Sequence, residues 1–229
     1  SWKTFSASPL RRDKGWPKPE EMSKKHIKKL IQKLKESAVR ANKSDFDCVE
    51  IHMAHGYLLH QFFSPISNKR KDEYGGNFEN RSRLLLEVAK SVRKIWPSQK
   101  ILGARITSTD HLKEGITLKD SILLSKKLKM IGLDYISVSS GGIKPITQMS
   151  QKEAFRGKIA KRIKEESNLI TTTSGKITSH KSAENLIKNK KVDFITIARI
   201  IVKNPRWIFQ LAKRKGVKDY IPNQYKRII

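Results

Sequence analysis

The stretch KILGARITSTDHLKEGITLKDSILLSKKLKMIGLDYISVS, residues 100–139, decides the fold class of this chain. Its two ends are short, apolar and rich in β-branched residues, which predicts two strands that are covered on both faces. Between them the apolar residues of 118–131 recur at helical spacing, and Thr117 with Asp120 matches the capping box of a helix start. Strand, helix and strand in this order predict a βαβ unit with parallel strands.

The same alternation extends in both directions along the chain. Strands are predicted at 47–52, 100–106, 134–139, 169–173 and 193–198, and helices near 24–42, 79–94, 118–131, 152–166, 180–189 and 205–215. Repeated βα units form either an open doubly wound sheet or a closed eight-strand barrel. Because no GxGxxG fingerprint follows any of these strands, the pattern favours the α/β class with a (β/α)8 TIM barrel.

A complete barrel needs eight strands and usually about 250 residues. This chain of 229 residues shows five strands, starts with Ser1 rather than Met, and has no strand before the helix near 24–42. We therefore expect residues 1–229 to form one TIM-barrel domain that is N-terminally incomplete and contains about strands 4 to 8. Alone, such a sheet would have two open edges with unpaired N–H and C=O groups.

The net charge of +28 raises nucleic acid or an anionic membrane as a partner. Lysines are scattered along every predicted helix and no aromatic residues for base stacking interleave them, which favours solvated helix faces instead. No apolar run approaches the roughly 20 residues that span a bilayer, and no signal peptide is recognisable. With Cys48 as the single cysteine, these features predict a cytoplasmic protein that binds neither nucleic acid nor membrane.

Polar side chains follow the first predicted strand, at the end where a βα barrel holds its functional residues. The strand ends at His52, and His55 and Tyr57 lie in the next loop. Two imidazoles and a phenol so close together predict a site. A metal pair with His60 as a third ligand, or purely structural histidines, remain as alternatives, and the lack of a nearby acidic or thiol ligand disfavours the metal.

Cationic residues and a glycine mark the later strands. Arg105 interrupts an otherwise apolar strand, and a buried arginine requires an anionic or strongly polar partner. Gly175 and Lys176 follow the fourth predicted strand and Arg199 follows the fifth, in the loops where barrels commonly bind phosphate. The alternative is that the arginines form surface ion pairs and that the glycine only serves a turn.

The segment FDCVEIHMAHGYLLHQFFSPISNKRKDEYGGNFENRSR, residues 46–83, resembles the signature region of the Old Yellow Enzyme family of FMN-dependent ene-reductases. Its His-x-x-His form is similar to the bacterial branch of NADPH dehydrogenases and xenobiotic reductases. The resemblance continues through ARITSTD, DYISVSSGG and NQYKR, and so covers essentially the whole chain from just before the fourth barrel strand. It implies a TIM barrel with FMN as cofactor and NAD(P)H as reductant.

The resemblance also implies a reaction and a role for each polar residue after the first strand. The family passes hydride through the flavin to the activated C=C bond of α,β-unsaturated carbonyl or related small molecules. Its motif gives His52 and His55 hydrogen bonds to the substrate oxygen, where negative charge builds. Tyr57 would protonate the α-carbon.

The cofactor residues follow in the same way. By resemblance, Arg105 lies beside the flavin pyrimidine edge, and Gly175, Ala198 and Arg199 lie at the FMN phosphate. The family usually has glycine in place of Ala198, so we expect weaker binding if that position needs a positive φ or close backbone approach. Lys176 also departs from the family and would either attract the phosphate or point to solvent.

Arg227 matches an arginine that reaches a neighbouring subunit's active site in some members, which implies a homo-oligomer with Arg227 at the substrate; a frayed basic tail is the alternative. The competing functional hypothesis is a degenerate or truncated barrel that no longer holds flavin. With only five of the eight strands, this fragment alone is expected to be inactive.

Overall fold

The computed structural model describes residues 3–145, 150, 152–217 and 222–228. Its centre is a parallel sheet of five strands in sequence order: β3 (Cys48–Met53), β4 (Ile101–Thr107), β5 (Tyr135–Ser139), β6 (Ile170–Thr173) and β7 (Phe194–Ile195). The helices are α1 (Lys24–Lys43), α2 (Leu58–Phe63), α3 (Phe78–Arg93), α4 (Leu118–Ile131), α5 (Gly157–Ser167), α6 (His180–Lys188), α7 (Arg199–Lys203) and α8 (Trp207–Arg214), followed by a 3-10 helix (Asn223–Ile228). Among these residues, no helix is both long and apolar enough to cross a membrane.

The hydrophobic core lies between the sheet and one layer of helices. Alternate residues of each strand face this layer, as Ile51, Leu102 and Ile136 do, and they are buried. Helix α1 packs on α3, α3 on α4, and α4 on α5, so the helices follow the order of the strands. The opposite face of the sheet carries the polar side chains, which places His52 and Arg105 on the side away from the helices.

The predicted strands and the capping box of α4 are confirmed. The Thr117 hydroxyl accepts the Asp120 amide at 3.2 Å, and the Asp120 carboxylate accepts the Thr117 amide at 2.9 Å. Such a cap stabilises a helix by about 1 kcal/mol. The last strand is shorter than predicted, because only Thr172 and Thr173 of β6 pair with it.

Three local features differ from the sequence-based expectation. Helix α5 begins at Gly157 instead of near residue 152, because Ala154 adopts a left-handed φ of 52° that a helix cannot contain. Helices α2 and α7 have six and five residues, too few for the periodicity that predicts a helix. The N-terminal stretch forms two strands of two residues each, β1 (Phe5–Ser6) and β2 (Glu20–Glu21), which pair in parallel.

Buried hydrogen bonds from Arg70, in the loop between α2 and α3, hold this N-terminal segment. The Arg70 guanidinium is buried and donates to the carbonyl oxygens of Ala7, at 3.1 Å, and Met22, at 2.7 Å. The Asp72 carboxylate accepts from the same guanidinium at 2.6 and 2.9 Å, and it holds the pKa of Arg70 above its usual value. The segment is therefore joined to the loop between α2 and α3.

Candidate active site

The loop after β3 brings three rings together. We call residues 52–57, which comprise the last two residues of β3 and the turn after it, the histidine loop. The His52 ring lies 5.2 Å from the His55 ring and 5.2 Å from the Tyr57 ring, measured between centroids. Tyr57 is 63% exposed, so its hydroxyl can reach a ligand. The structure thus brings the three predicted catalytic residues into one cluster.

Backbone contacts fix the shape of the histidine loop. His55 and Gly56 have left-handed φ values of 61° and 75°. A Cβ on Gly56 would lie 2.2 Å from the carbonyl oxygen of Gly142, and a Cβ on Gly142, whose φ is 100°, would lie 2.6 Å from the Cα of His55. The loops after β3 and β5 therefore meet backbone to backbone, which only glycine permits at these two positions.

Polar partners from the neighbouring strands orient His55. Its amide donates to the Thr107 hydroxyl at 3.0 Å, and its Nε2 lies 2.6 Å from the Ser139 Oγ. Thr107 and Ser139 are paired residues of β4 and β5. Because both partners stand on strands, the imidazole is held by the rigid part of the fold.

Both imidazoles of the cluster are neutral at pH 7. Burial and then the charge of Arg105 lower the pKa of His55 to about 4. The same two causes, in the same order, lower the pKa of His52. A neutral imidazole carries one N–H, so each ring offers one hydrogen-bond donor and one acceptor.

A second, buried pair lies beneath the loop, and sequence analysis missed its role. The His60 Nδ1 accepts the Gly56 amide at 2.7 Å, so the ring proton is on Nε2, which lies 3.1 Å from Oδ1 of Asp110. The other Asp110 oxygen accepts from the Ser64 hydroxyl at 2.7 Å and the Ile116 amide at 2.9 Å. These interactions outweigh the burial that would raise the pKa of Asp110, and hold it below its usual value.

This pair also bears on the metal alternative. Both ring nitrogens of His60 are directed at protein groups, so it does not join His52 and His55 as a ligand. Within the described ranges, no three His, Cys, Asp or Glu side chains are placed to hold a metal ion. The sequence named His60 only as a possible metal ligand, and its pairing with Asp110 could not be predicted because Asp110 follows a different strand.

Arg105 connects the histidine loop to the next cavity. The strand register places it beside His52 on one side and Ser137 on the other. Its Nε is buried and has no hydrogen-bond partner in the described structure. An unsatisfied buried N–H of this kind is costly and is expected to receive an acceptor from a ligand.

The remaining predicted cofactor residues line one cavity of about 530 Å³ at the carboxyl ends of β6 and β7. We call it the cationic cavity, and its walls comprise three isoleucines together with Arg105, Glu153, Arg156, Ser174, Gly175, Lys176, Thr178, Thr196, Ala198 and Arg199. The Glu153 carboxylate accepts the amides of Thr178 and Ser179, so it is engaged at the start of α6. The cavity is therefore strongly positive.

The backbone at this cavity suits a phosphate group. Gly175 has a φ of 130°, which a residue with a Cβ rarely adopts, and its added Cβ would lie 2.7 Å from Nη1 of Arg156. Ala198 has a φ of −130°, so the left-handed conformation that would penalise its methyl group is absent. These residues fit an FMN phosphate: a glycine cradle and several cations surround one recess.

Arg156 is a second residue that sequence analysis missed. It is buried, with Nε donating to the Ser140 hydroxyl at 2.7 Å and Nη1 donating to the Ser174 carbonyl at 3.3 Å. Burial, then Arg105 and Arg199, lower its pKa to about 10, so it stays cationic at pH 7. Its sequence context predicts a position within an exposed helix, whereas the structure places it directly before α5, where it lines the cavity.

Arg227 lies in neither the histidine loop nor the cationic cavity. It lies exposed in the 3-10 helix, and it is not among the residues that line the cationic cavity. Its suggested role in a neighbouring subunit stays a prediction.

Comparison with known proteins agrees with this geometry. The profile of a family described as the NADH:flavin oxidoreductase / NADH oxidase family matches residues 7–217. A protein named NADPH dehydrogenase from Geobacillus thermodenitrificans is 40% identical over 92% of this chain and 61% of its own length. One of the same name from Clostridium acetobutylicum is 36% identical over 99% of this chain and 67% of its own length. The chain thus spans about three fifths of the first of these relatives.

Solved structures show the same fold. A 2-naphthoyl-CoA reductase complex superposes with a TM-score of 0.87 and 22% identity, over 93% of this chain and 33% of its own. Morphinone reductase in complex with tetrahydroNAD gives a TM-score of 0.76 and 20% identity, over 94% of this chain and 60% of its own. These neighbours are TIM-barrel enzymes, which confirms the predicted fold class with five strands of the barrel in this chain.

Proposed function

The chain belongs to the NADH:flavin oxidoreductase / NADH oxidase family, and on this premise we propose that the protein reduces the activated C=C bond of α,β-unsaturated carbonyl or related compounds. Membership confirms FMN as cofactor and NAD(P)H as reductant at the level of the family. The observation that carries the finer proposal is the cluster of two neutral imidazoles beside an exposed phenol, next to a cavity that suits a phosphate.

The cationic cavity would hold the cofactor. Gly175 would leave room for the phosphate, and Arg156, Lys176 and Arg199 would neutralise its charge. When bound, FMN would supply the hydride transfer from NAD(P)H to the substrate. The buried Nε of Arg105 would donate a hydrogen bond to an acceptor atom of the bound cofactor, and the guanidinium would place a permanent positive charge beside that atom.

His52 and His55 would bind the substrate oxygen. Negative charge builds on a carbonyl or nitro oxygen as the alkene accepts hydride, and two N–H donors fixed beside it stabilise that charge. The Ser139 hydroxyl at Nε2 and the backbone bond to Thr107 would hold the His55 ring in position. Because the pKa of each imidazole is held below its usual value of 6.5, we expect substrate binding to change little with pH above about 7.

Tyr57 would donate the proton. Its hydroxyl is the exposed acidic group of the cluster, and it lies on the residue before α2, in a place where a ligand above His52 would contact it. A proton delivered to the α-carbon completes the reduction of the double bond.

Two measurements on the full-length protein test this function. First, the purified protein should be yellow or should take up added FMN, and a protein that does neither would refute the flavin-dependent activity. Second, Tyr57→Phe should slow the oxidation of the reduced enzyme by a cyclic enone at least about a hundredfold, which is the usual contribution of a general acid. Its reduction by NAD(P)H should stay nearly unchanged, whereas equal losses in both half-reactions would remove Tyr57 as the donor.

A matched control is Tyr135→Phe, which removes a phenol hydroxyl on the same face of the sheet, away from the loop. That hydroxyl donates to the Glu50 carboxylate at 3.0 Å and contacts neither histidine of the loop. Both half-reactions should keep their rates in this variant.

His52→Ala combined with His55→Ala should instead weaken enone binding, and unchanged binding would exclude them from the oxygen site.

A further inference from the structure

A second cavity opens on the other side of the histidine loop. It has a volume of about 300 Å³, and we call it the entrance cavity. Its walls include His55 and Tyr57 from the loop, apolar side chains from the N-terminal segment and the loop after β5, and the cations Arg11, Arg12 and Lys144. The described lining residues include no carboxylate.

Arg12 is held in an ordered position in this cavity. Its Nη2 donates to the carbonyl oxygen of Gly142 at 3.3 Å, and its guanidinium lies over the Trp16 ring at 5.0 Å from the centroid. Its Nε is buried without a hydrogen-bond partner in the described structure. A stacked, partly desolvated guanidinium with one unsatisfied N–H is prepared for an anionic acceptor.

The other two cations stand around Arg12. The Arg11 guanidinium donates to the Trp16 carbonyl at 3.0 Å, and the Lys144 ammonium donates to the Arg12 carbonyl at 3.4 Å. None of the three forms an ion pair with a carboxylate in the part of the chain that the structure describes. The neighbouring Asp13 carboxylate accepts the Lys14 amide at 2.8 Å and does not line the cavity.

The high net charge of the chain does not by itself account for this cluster. Most cations lie on solvated helix faces and several form ion pairs there, as Arg162 does with Glu166 at 2.9 Å. The entrance cavity instead gathers cations in a recess with apolar walls, where a positive potential is concentrated. The recess also adjoins the two side chains that would bind and protonate a substrate.

We propose that the molecule approaching His55 and Tyr57 carries an anionic oxygen group, a carboxylate or a phosphate, and that Arg12 binds this group with support from Arg11 and Lys144. The inference rests on the proposed function and names the chemical class of its ligand. The anion has two sources: an acidic substituent of the electrophilic alkene, or the phosphate of NADPH. A neutral enone would use only the histidine loop and the apolar walls.

The experiment compares charged and neutral ligands in the full-length, FMN-loaded protein. In one arm, a cyclohexenone with a carboxylate side chain and its methyl ester are compared in the oxidation of the reduced enzyme. In the other arm, NADPH and NADH are compared in the reduction of the flavin. Arg12→Gln removes the charge and keeps a polar side chain, Arg12→Lys restores the charge, and Lys144→Gln tests the cluster without changing the Trp16 stack.

We expect Arg12→Gln to raise the dissociation constant of the charged member of one pair about twofold to fivefold and to leave the neutral member unchanged, which is the usual scale for a partly exposed charge pair. Arg12→Lys should recover part of this loss, and Lys144→Gln should show a smaller loss of the same selectivity. Raising the ionic strength should reduce the preference in the unchanged protein. The control Arg162→Gln, on an exposed face of α5, should alter neither pair.

The affected pair identifies the source of the anion. A change confined to the acid and ester assigns it to the substrate, and a change confined to NADPH and NADH assigns it to the reductant. Equal effects on charged and neutral members, or no effect in either arm, would overturn the inference. A protein that is reduced by NAD(P)H yet shows no charge preference fails this inference alone, whereas a protein that takes up no FMN fails the proposed function.

Discussion

The histidine loop and the cationic cavity lie at the same end of one sheet, yet they are built differently. The loop is fixed by backbone contact between Gly56 and Gly142 and by the hydrogen bond from the Gly56 amide to Nδ1 of His60. The cavity is defined by charge, and two of its residues, Ala198 and Arg199, are exposed. The histidine loop therefore has its shape before any ligand binds, whereas the cationic cavity contributes chiefly a positive electrostatic potential that attracts an anion.

Strand pairing follows the same division. Strands β3 and β4 are paired from Cys48 and Ile101 to Met53 and Ile106, while β6 and β7 pair only at two positions. Because β3 and β4 are paired along their whole shared length, the ends of these strands are rigid, and this rigidity limits the movement of His52 and His55. Substrate chemistry and cofactor anchoring therefore need different kinds of site. Hydrogen bonds to a reacting oxygen require donors at fixed positions, whereas attraction between cations and a phosphate tolerates movement of the side chains.

Gly142→Ala should show the largest effect, because it attacks the backbone contact directly. The added Cβ would lie 2.6 Å from the Cα of His55 at a φ of 100°. We expect a loss of about 2–5 kcal/mol in the free energy of unfolding, from the strained φ together with overpacking. Urea unfolding measures it, and the control Gly15→Ala, whose φ is 82° with open space around its Cβ, should lose about 1 kcal/mol. Equal losses would contradict the role of the contact.

Asp110→Asn tests the buried support of the loop. The amide would present its NH2 either to the His60 Nε2–H or to the Ser64 and Ile116 donors, so one buried group loses its partner. We expect a loss of about 2–3 kcal/mol at pH 7. Asp13→Asn, at an exposed aspartate, is the control and should change stability by less than about 0.5 kcal/mol.

The same substitution has a defined pH dependence. The folded pKa of Asp110 lies below its unfolded value, so its contribution is present above the unfolded pKa near 3.8 and is lost as the pH falls through the folded pKa. The destabilisation by Asp110→Asn should therefore shrink below about pH 4. A difference in unfolding free energy that stays constant from pH 7 to pH 3 would exclude this linkage.

Arg156→Met examines the other region, where we expect an effect on ligand affinity. Loss of one guanidinium should weaken FMN binding about tenfold, at the lower end of the scale for a charge-assisted hydrogen bond, and leave riboflavin, which lacks the phosphate, unaffected. Calorimetric titration of both ligands measures the difference. Tighter FMN binding in the variant would mean that Arg156 occupies the phosphate position instead of supporting it.

Arg105 lines the cationic cavity and pairs with His52 of the histidine loop, so it links the two regions. We expect Arg105→Met to have the smallest effect of these substitutions. Removing this cation takes away the second cause of the low pKa of His55, after burial, so the pKa should rise while staying below 6.5. An NMR titration of the imidazole protons follows it, with Arg40→Met on α1 as the control. An unchanged His55 titration would show that Arg105 does not act on the histidine loop.

Much of the fold could be predicted from local pattern alone. The five strands, the capping box at Thr117 and the cluster of His52, His55 and Tyr57 all follow from periodicity and strand-end position, and the structure confirms their location. Helix α5 begins about five residues later than the periodicity predicts, because nothing in the sequence indicates the left-handed turn at Ala154.

The support of the site could not be predicted in this way. His60 looks like an ordinary residue of an apolar segment until Asp110, from the loop after another strand, is seen 3.1 Å from its Nε2. The sequence around Arg156 predicts a solvated helix, whereas in the structure its guanidinium is buried against Ser140 and lines the cationic cavity. In both cases the relevant partner is distant in sequence, and the effect of burial on a charge depends on what covers it.

Local sequence alone predicts which residue types stand at the strand ends, because periods of 2 and 3.6 residues fix local structure and side-chain direction. Three properties of the site emerge only when the chain is folded: the two imidazoles are neutral, Gly56 contacts Gly142 between two loops, and three guanidinium groups line one cavity. Solvation, charge proximity and close backbone approach depend on segments that the parallel sheet brings together, and no local pattern encodes them.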